Sequence, residues 1–145
     1  MSGIALPISV QLGAWDALRE LAIPIRFTVF VQEQRVPAEI ELDEWDVPSL
    51  HAIARDGNGT TVGTGRLLPD GHIGRMAVLA AARGAGVGTA LLRALMTAAR
   101  ERGMTRVVLN AQTHAAPFYQ REGFVAFGDI YDDAGIPHIA MSREL

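Results

Sequence analysis

A glycine-rich stretch near the middle of the chain has the composition of an anion-binding loop. In ARGAGVGTALL, Gly84, Gly86 and Gly88 alternate with other residues, and a helical pattern follows at once. A helix N-terminus has unpaired N–H groups and a partial positive charge, and glycine lets a phosphate approach the backbone closely. The stretch from Gly84 to Thr89 is therefore a candidate pyrophosphate cradle. A turn that packs a helix tightly on a sheet is the alternative interpretation of the same glycines.

Two common nucleotide-binding loops do not fit this stretch. Counted from Gly84, the dinucleotide fingerprint needs a glycine at the sixth position, where Thr89 stands. That fingerprint also follows an early strand, whereas this stretch follows three predicted antiparallel strands. A P-loop ends in Gly-Lys-Ser/Thr, and the chain contains no lysine. Both kinds of loop are therefore disfavoured.

Composition removes several further kinds of chemistry. The 145 residues include no cysteine, which excludes disulfides, thiolate metal sites and a cysteine nucleophile. A net charge of −3 gives no overall positive field to attract nucleic acid. No apolar run approaches the roughly 20 residues of a membrane span, and the N-terminus lacks the basic and apolar regions of a signal peptide. We expect a cytoplasmic protein with a single domain over residues 1–145.

Periodicity and turn residues predict the elements that position the glycine-rich stretch. Strands are expected at 4–12, 50–56, 61–69, 72–79, 106–112, 124–131 and 137–144. Helices are expected at 15–23, 25–34, 87–102 and 116–122, with Pro24 separating the first two and an acidic loop at 36–48. This order predicts a mixed α/β domain on one central sheet, in which the strands before and after the 87–102 helix are parallel.

Three segments resemble, in order and spacing, the GNAT acetyltransferase superfamily. Arg83-x-x-Gly86-x-Gly88 resembles its Arg/Gln-x-x-Gly-x-Gly/Ala motif. IGRMAVL (73–79) resembles the strand that leads into this motif, and APFYQREGF (116–124) resembles the short helix and strand that come after it. Each segment alone is a weak signal, and the three together are a strong one.

Further segments narrow the resemblance to the ElaA-like branch of the superfamily. They are VFVQEQRVP (29–37), ELDEWD (41–46) and DDAGIPHIAM (132–141), so the resemblance covers nearly the whole chain. It implies a GNAT-like acyltransferase fold, in which the fourth and fifth strands of a mixed sheet splay apart around acyl-coenzyme A.

The activity implied by the resemblance is N-acetyltransfer from acetyl-coenzyme A to a primary amine, by direct attack in a ternary complex. The implied partners are a small-molecule amine and, by analogy with the family, a second copy of the chain, without nucleic acid, membrane or metal. A coenzyme A sensor of the same fold that does no chemistry is the alternative. A non-amine acceptor also stays open, because Arg26-x-x-Val29-Phe30 is similar to a segment of acyl-homoserine-lactone synthases.

The resemblance implies a set of cofactor-binding residues. The strand backbone is expected to contact the pantetheine arm and the thioester, with an oxyanion donor near Val78, and the loop is expected to hold the pyrophosphate with help from Arg83. Gln112 stands where many members of the family have asparagine, and Phe118 is expected in the core, with a cofactor contact as the alternative. The full set is Met76, Ala77, Val78, Arg83, Gly84, Ala85, Gly86, Val87, Gly88, Thr89, Gln112, Phe118 and Tyr119.

Tyr119 corresponds to the tyrosine that acts as general acid in the family. Acyl transfer from a thioester expels a thiolate, and the corresponding thiol has a pKa of roughly 8.5. A phenol with a pKa of about 10 is protonated at neutral pH and can donate to that thiolate. A tyrosine that only packs a helix against the sheet is the alternative interpretation.

The acceptor side offers weaker candidates. Glu33 and His138 are the candidates for a general base or an acceptor contact, and a surface or structural role is the alternative for each. His51 and His72, on predicted strands, are expected to be structural. No pair of histidines has the spacing of a metal site on one helix, so no metal is expected.

Acidic residues are concentrated between positions 33 and 46. If this segment lines the acceptor entrance, it would favour a cationic amine, whereas an ordinary solvated acidic loop is the alternative. The only basic residue in this segment is Arg35, and its acidic residues are Glu33, Glu39, Glu41, Asp43, Glu44 and Asp46.

Overall fold

The computed structural model describes residues 4–145, and residues 1–3, on which the signal-peptide prediction partly rested, lie outside them. Within this range the chain forms seven β-strands and four α-helices. The strands are β1 (Ser9–Ala14), β2 (Leu50–Arg55), β3 (Thr61–Leu67), β4 (Ile73–Val78), β5 (Arg106–Gln112), β6 (Val125–Asp133) and β7 (Ile136–Glu144). The helices are α1 (Trp15–Arg26), α2 (Ala38–Glu41), α3 (Val87–Glu101) and α4 (Ala116–Arg121).

The strands form two antiparallel sheets that meet at one point. The first sheet has the order β1-β2-β3-β4, and the second has the order β5-β7-β6. They are joined by a parallel bridge between His72 and Val108, where the Val108 N–H donates to the Gly71 carbonyl at 3.1 Å. Past this bridge β4 and β5 separate. The predicted α/β fold class, with a fourth and fifth strand that splay apart, is confirmed. The prediction of one central sheet is wrong, because the separation of β4 and β5 leaves two antiparallel sheets that share only this parallel bridge.

Helix α3 covers the first sheet and forms the centre of the core. Its apolar residues recur at helical spacing, so Leu91 and Leu95 are fully buried against the sheet. Gly63 and Gly65 of β3 allow this close approach. A Cβ at Gly63 would lie 2.9 Å from Val87 Cγ1, and a Cβ at Gly65 would lie 3.1 Å from Leu95 Cδ1. This packing fixes the position of the α3 N-terminus relative to β4.

Pro24 does not separate two helices, and that prediction is wrong. Helix α1 continues through Pro24 and runs into wider π-helical turns at Phe27–Glu33. A proline inside a helix loses one backbone hydrogen bond. Ile25 and Phe30 are buried with Ala77 of β4, and this packing outweighs the loss. The continuous helical path carries the chain to the open end of the space between β4 and β5.

Two predicted connections also differ in detail. The 36–48 segment contains the short helix α2, so the prediction of a loop throughout this segment is wrong. The turn expected at 132–135 is tighter than predicted, because β6 extends through Asp133 and β7 starts at Ile136. The two connecting residues, Ala134 and Gly135, have φ angles of 52° and 79°, as a two-residue hairpin turn requires.

Candidate active site

The space between the separated strands is a cavity of about 690 Å³. Its walls are β4 and β5, and the π-helical segment Phe27–Glu33, helix α4 and the β6–β7 hairpin contribute further residues. Of the residues predicted from the sequence, it is lined by Glu33, Met76, Ala77, Val78, Arg83, Gln112, Tyr119 and His138.

The glycine-rich loop turns immediately before α3 and leaves its first N–H groups free. Gly84 and Gly86 have φ angles of 82° and 86°, which favour glycine, and no atom lies within 4 Å of a Cβ built at either position. The first helical bond runs from the Ala90 N–H to the Gly86 carbonyl at 3.0 Å. Within residues 4–145 no side chain caps this helix. The N–H groups of Val87 and Gly88 are therefore available to an anion.

Phe118 and Gly88 fix the contact between α3 and α4. A Cβ built at Gly88 would lie 3.5 Å from Phe118 Cζ, which is an ordinary van der Waals contact. Phe118 also packs edge-on against Tyr119, with ring centroids 5.0 Å apart. Phe118 is partly buried against the main core, which fits the core role expected for it.

Backbone groups of β4 point into the cavity. The Leu79 N–H donates to the Val62 carbonyl at 2.9 Å, so it points toward β3. Successive N–H groups of a strand point in opposite directions. The N–H of Val78 therefore points away from β3, into the space where β5 has separated. The Val78 carbonyl points the same way and accepts a hydrogen bond from Arg83 Nε at 3.1 Å.

Arg83 is held by Glu33 at the open end of the cavity. Arg83 Nη1 lies 2.6 Å from Glu33 Oε2, and Nη2 donates to Oε1 at 2.8 Å. The hydrogen bond and the charge of Arg83 lower the pKa of Glu33, although partial burial opposes them. A carboxylate with a lowered pKa is a weaker base, so the geometry favours a positioning role for Glu33 over proton abstraction.

Gln34 and Gln112 form a second bridge, which the sequence did not predict. Gln112 Nε2 donates to Gln34 Oε1 at 2.8 Å. Gln34 follows the π-helical segment and bonds Gln112, the last residue of β5. The preceding residue, Glu33, bonds Arg83 on the β4 side. Two neighbouring residues therefore reach opposite walls of the cavity. Both glutamines were visible in the sequence, but no motif or spacing near either one indicated that their side chains form a hydrogen bond.

Tyr119 lies on the wall formed by α4 and is largely buried between aromatic rings. Its ring is 5.0 Å from that of Phe118 and 5.9 Å from that of Phe124. Burial raises the pKa of Tyr119 to about 12, and no charged or hydrogen-bonding neighbour in the described chain contributes to this shift. The phenol is therefore fully protonated at neutral pH and is a hydrogen-bond donor.

His138 presents one free ring nitrogen. Its Nδ1 lies 2.7 Å from the Ile136 carbonyl, an oxygen that only accepts, so Nδ1 carries the proton. In the neutral ring, Nε2 is then the unprotonated nitrogen. The ring stacks on Tyr131 with centroids 5.9 Å apart. This arrangement leaves Nε2 without a hydrogen-bond partner among residues 4–145, on the hairpin side of the cavity.

Buried arginines neutralise the acidic segment. Arg26 of α1 is 1% exposed and bonds Glu41 Oε2 at 2.7 Å through Nη2 and Asp46 Oδ1 at 2.6 Å through Nη1. Its guanidinium also lies 5.3 Å from the centre of the Trp15 ring. Burial disfavours the charge of Asp46, but the bonds and charge of Arg26 outweigh it and lower the pKa of Asp46.

Two further arginines meet on Asp43. Arg66 Nη1 and Nη2 donate to its two carboxylate oxygens at 2.7 and 3.0 Å, and Arg75 Nη2 donates to Oδ2 at 3.1 Å. The prediction that this segment presents an acidic acceptor entrance is therefore wrong for its central carboxylates, because each is paired with an arginine from another element. Of the six acidic residues of the segment, the exposed ones are Glu33, which is paired with Arg83, and Glu39 and Glu44.

His51 is structural, as expected. It is 1% exposed, its Nε2 lies 2.7 Å from the Asp46 carbonyl, and its ring packs on Trp15 at 4.7 Å. Burial lowers its pKa.

In residues 4–145 there is no group of three or more His, Asp or Glu side chains placed to hold a metal ion. None of the described helices is long and apolar enough to cross a membrane.

The acetyltransferase (GNAT) domain family model matches residues 19–145. The chain belongs to the GNAT family. YjcF of Bacillus subtilis, described as an uncharacterized N-acetyltransferase, is 42% identical over 127 residues, which cover 85% of this chain and 90% of YjcF. By this membership the chain is an enzyme of the N-acetyltransferase class, and the resemblance stated from its motifs is confirmed.

Solved GNAT structures have the same fold. An acyl-CoA N-acyltransferase from Pseudomonas aeruginosa superimposes with a TM-score of 0.81 at 35% identity, covering 94% of this chain and 99% of the other. ElaA of Escherichia coli superimposes with a TM-score of 0.82 at 31% identity, covering 95% and 100%. The likeness to the ElaA-like branch is thus also confirmed.

Proposed function

We propose that this GNAT protein transfers the acetyl group of acetyl-coenzyme A to the primary amine of a small molecule within a ternary complex. The observation that carries this proposal is the cavity between β4 and β5, whose lining includes Arg83, the residue immediately before the glycine-rich turn that starts α3. With no cysteine in the chain, an acyl-cysteine route is absent.

The residues at the open end suit the cosubstrate. Gly84 and Gly86 leave space beside the N–H groups of the loop, as a pyrophosphate requires. The unpaired edge of β4 offers Val78 to the pantetheine arm, and Gln112 offers an amide once it parts from Gln34. Acetyl-coenzyme A, when bound, supplies the acyl group as an activated thioester.

Two donors stabilise the charge that develops during transfer. The Val78 N–H, directed into the cavity, is the donor for the acyl oxygen. The Tyr119 phenol, kept protonated by burial, donates to the departing sulfur. Both residues pack against the main core, so little rearrangement is needed as the charge forms.

His138 is the preferred group to accept the proton of the amine. Its Nδ1–H is held by the Ile136 carbonyl, which leaves Nε2 free to accept. Glu33 is already paired with Arg83 and is assigned to positioning that arginine beside the pyrophosphate loop.

The experiment is a thiol-release assay with acetyl-coenzyme A and a panel of amines. Because the chain has no cysteine, every new thiol comes from coenzyme A. We expect thiol release that depends on the amine and matches the amount of N-acetylated product. Tight coenzyme A binding with no release for any amine would instead support a coenzyme A sensor.

The remaining assignments belong to the same proposal. We place the enzyme in the cytoplasm, as a single domain over residues 1–145 that associates as a homodimer. Size-exclusion chromatography with light scattering tests the dimer, and a monomer at micromolar concentration contradicts it.

A further inference from the structure

The cavity continues beyond the position expected for the thioester, to a wall that carries a guanidinium group. Arg75 precedes Met76 on β4 and lines the cavity together with His72 and Arg66. This part lies toward the bridge that joins the two sheets, away from the pyrophosphate loop. It is therefore the end available to the acceptor.

Arg75 is held in place by its backbone and by two of its side-chain nitrogens. Its φ angle is 49°, unusual for a residue other than glycine, at an irregularity in the pairing of β3 with β4. Nε donates to the Glu41 carbonyl at 3.1 Å, and Nη2 donates to Asp43 Oδ2 at 3.1 Å. Nη1 has no hydrogen-bond partner among residues 4–145, and the side chain is 30% exposed. The Nη1 end of the Arg75 guanidinium group is thus left to bind a ligand.

Arg66 adds a second unsatisfied donor to the same wall. Its Nε is buried and has no hydrogen-bond partner in the described part of the chain. Both guanidinium groups bond Asp43 Oδ2, so they lie side by side. The buried Nε is inaccessible from the cavity, so Arg66 contributes a positive charge beside Arg75 rather than a contact to the ligand.

The local charges do not oppose one added negative charge. Three carboxylates and three arginines balance in this cluster, so the wall has no net charge to repel an anion. Burial lowers the pKa of Arg75, and the nearby charge of Arg66 lowers it further, whereas Asp43 opposes them. An additional anion would relieve this repulsion between the arginines. A dianionic phosphate would bring excess charge to a balanced cluster, so a carboxylate is the better match.

We propose that the acceptor is an amine that also carries a carboxylate, and that this carboxylate pairs with Arg75 Nη1. The inference rests on the proposed function and names its substrate class. In the reaction, the amine nitrogen bonds the acyl carbon as the carbon–sulfur bond breaks, the amine loses a proton and the sulfur gains one. Arg75 holds the acceptor, and the opposite wall carries His138 near the reacting amine.

Pairs of acceptors that differ only in the carboxylate test this proposal on the unmodified enzyme. They are 4-aminobutyrate with propylamine, β-alanine with ethylamine, and L-leucine with isopentylamine, and O-phosphoethanolamine is added as the phosphate arm. We expect the carboxylate-bearing member of a pair to have a kcat/KM about 10- to 100-fold higher, as for one charge-assisted pair. Equal or better turnover of the decarboxylated amines, or of the phosphate compound, overturns the proposal.

Substitution of Arg75 locates the preference. In Arg75→Gln we expect the ratio of kcat/KM for the carboxylate-bearing amine to kcat/KM for its decarboxylated partner to fall about tenfold or more, whatever the change common to both. Arg75→Lys, which keeps the charge, should retain part of the preference. Arg19→Gln, an exposed arginine on α1, is the matched control. A preference that survives in Arg75→Gln contradicts the assignment.

A binding measurement separates failure of this proposal from failure of the proposed function. The same pairs are titrated into enzyme loaded with coenzyme A and followed by calorimetry, so the preference is measured without turnover. Absence of coenzyme A binding would contradict the proposed function. Coenzyme A binding with amines bound as well as, or better than, the amino acids would overturn only the carboxylate proposal.

Discussion

Tyr119 shows at the level of one residue how burial sets the chemistry available. With its pKa raised to about 12, the phenol keeps its proton across the working range of pH. Complete transfer to a thiolate whose thiol has a pKa of about 8.5 is then uphill by about 5 kcal/mol. In the proposed mechanism, Tyr119 therefore acts as a hydrogen-bond donor while the sulfur departs, with the proton following as the charge builds up.

The first prediction concerns the removal of this hydroxyl. Tyr119→Phe should lower kcat by about 100-fold, the usual contribution of a positioned acid, because the sulfur loses its donor. The dissociation constant of acetyl-coenzyme A should change little, since the ring still packs on Phe118. Steady-state kinetics and calorimetry measure the two quantities, and an unchanged kcat would remove Tyr119 from the acid role.

The raised pKa can be measured directly, because the chain has only two tyrosines. Tyr131→Phe leaves Tyr119 as the single phenol, and its ionisation is followed by ultraviolet absorbance between pH 8 and 12.5. We expect no ionisation below about pH 11, and no loss of kcat from this group up to about pH 10. Ionisation near pH 10 would show an ordinary exposed phenol and contradict the burial described for Tyr119.

At the scale of elements, the glycine-rich loop and the N-terminus of α3 form one unit, which depends on the backbone conformation of its glycines. Gly86→Ala should weaken acetyl-coenzyme A binding and destabilise the fold by about 1–2 kcal/mol, because alanine resists a φ of 86°. Gly88→Ala is the matched control, since its Cβ would make only an ordinary contact with Phe118. Thermal melts with and without acetyl-coenzyme A compare the two, and equal behaviour of the variants would contradict this account of the loop.

The elements differ in how far the sequence determines them. Helix α3 ends within one residue of its prediction and β5 has the predicted ends, because periodicity and flanking glycines are local signals. The helix through Pro24 was missed because its cause is distant, namely the burial of Ile25 and Phe30 against β4. Local propensity is a weak guide where packing decides.

The sequence likewise predicts those parts of the candidate site that depend on local motifs, and not those that depend on contacts between distant segments. The glycine-rich loop and Tyr119 have recognisable spacing within single segments. The pairing of Glu33 with Arg83, the pairing of Gln34 with Gln112 and the contacts of Arg75 depend on residues brought together from distant parts of the chain. The six charges of the cluster were all visible in the sequence, but their pairing across α1, β3 and β4 was not.

At the scale of the whole molecule, one bridge between two sheets creates the cavity. The sheets touch at His72 and Val108 and then part, so a cavity opens between β4 and β5. Near this junction lies the cluster of arginines and carboxylates, which links α1, the 36–48 segment, β3 and β4. The cluster therefore stabilises the architecture that keeps the cleft open.

This cluster predicts how stability depends on pH. The pKa values of Asp43 and Asp46 are lowered by their arginines, against the opposing effect of burial. A lowered pKa stabilises the folded state above the ordinary aspartate value, and this contribution is lost as pH falls through the folded-state value. We expect the melting temperature to hold from about pH 7 to 5 and to fall steeply below about pH 4.

Substitution within the cluster tests that dependence. Asp46→Asn should destabilise the protein by about 3 kcal/mol at neutral pH, because Arg26 stays buried with one partner fewer, and should flatten the acid dependence. Asp129→Asn, at an exposed site on β6, is the control. An acid profile of Asp46→Asn that runs parallel to the unmodified protein would show that this carboxylate is not a source of the pH dependence.

The most direct test of the central claim is a thermal melt with acetyl-coenzyme A, beside coenzyme A, NAD and ATP. A ligand at about 100 times its dissociation constant adds about 2.7 kcal/mol of stability, which should raise the melting temperature of this chain by about 5–10 °C. We predict that only the two coenzyme A compounds stabilise the protein, and that Gly86→Ala reduces the effect. Stabilisation by none of the four would contradict the cofactor site, and with it the proposed mechanism.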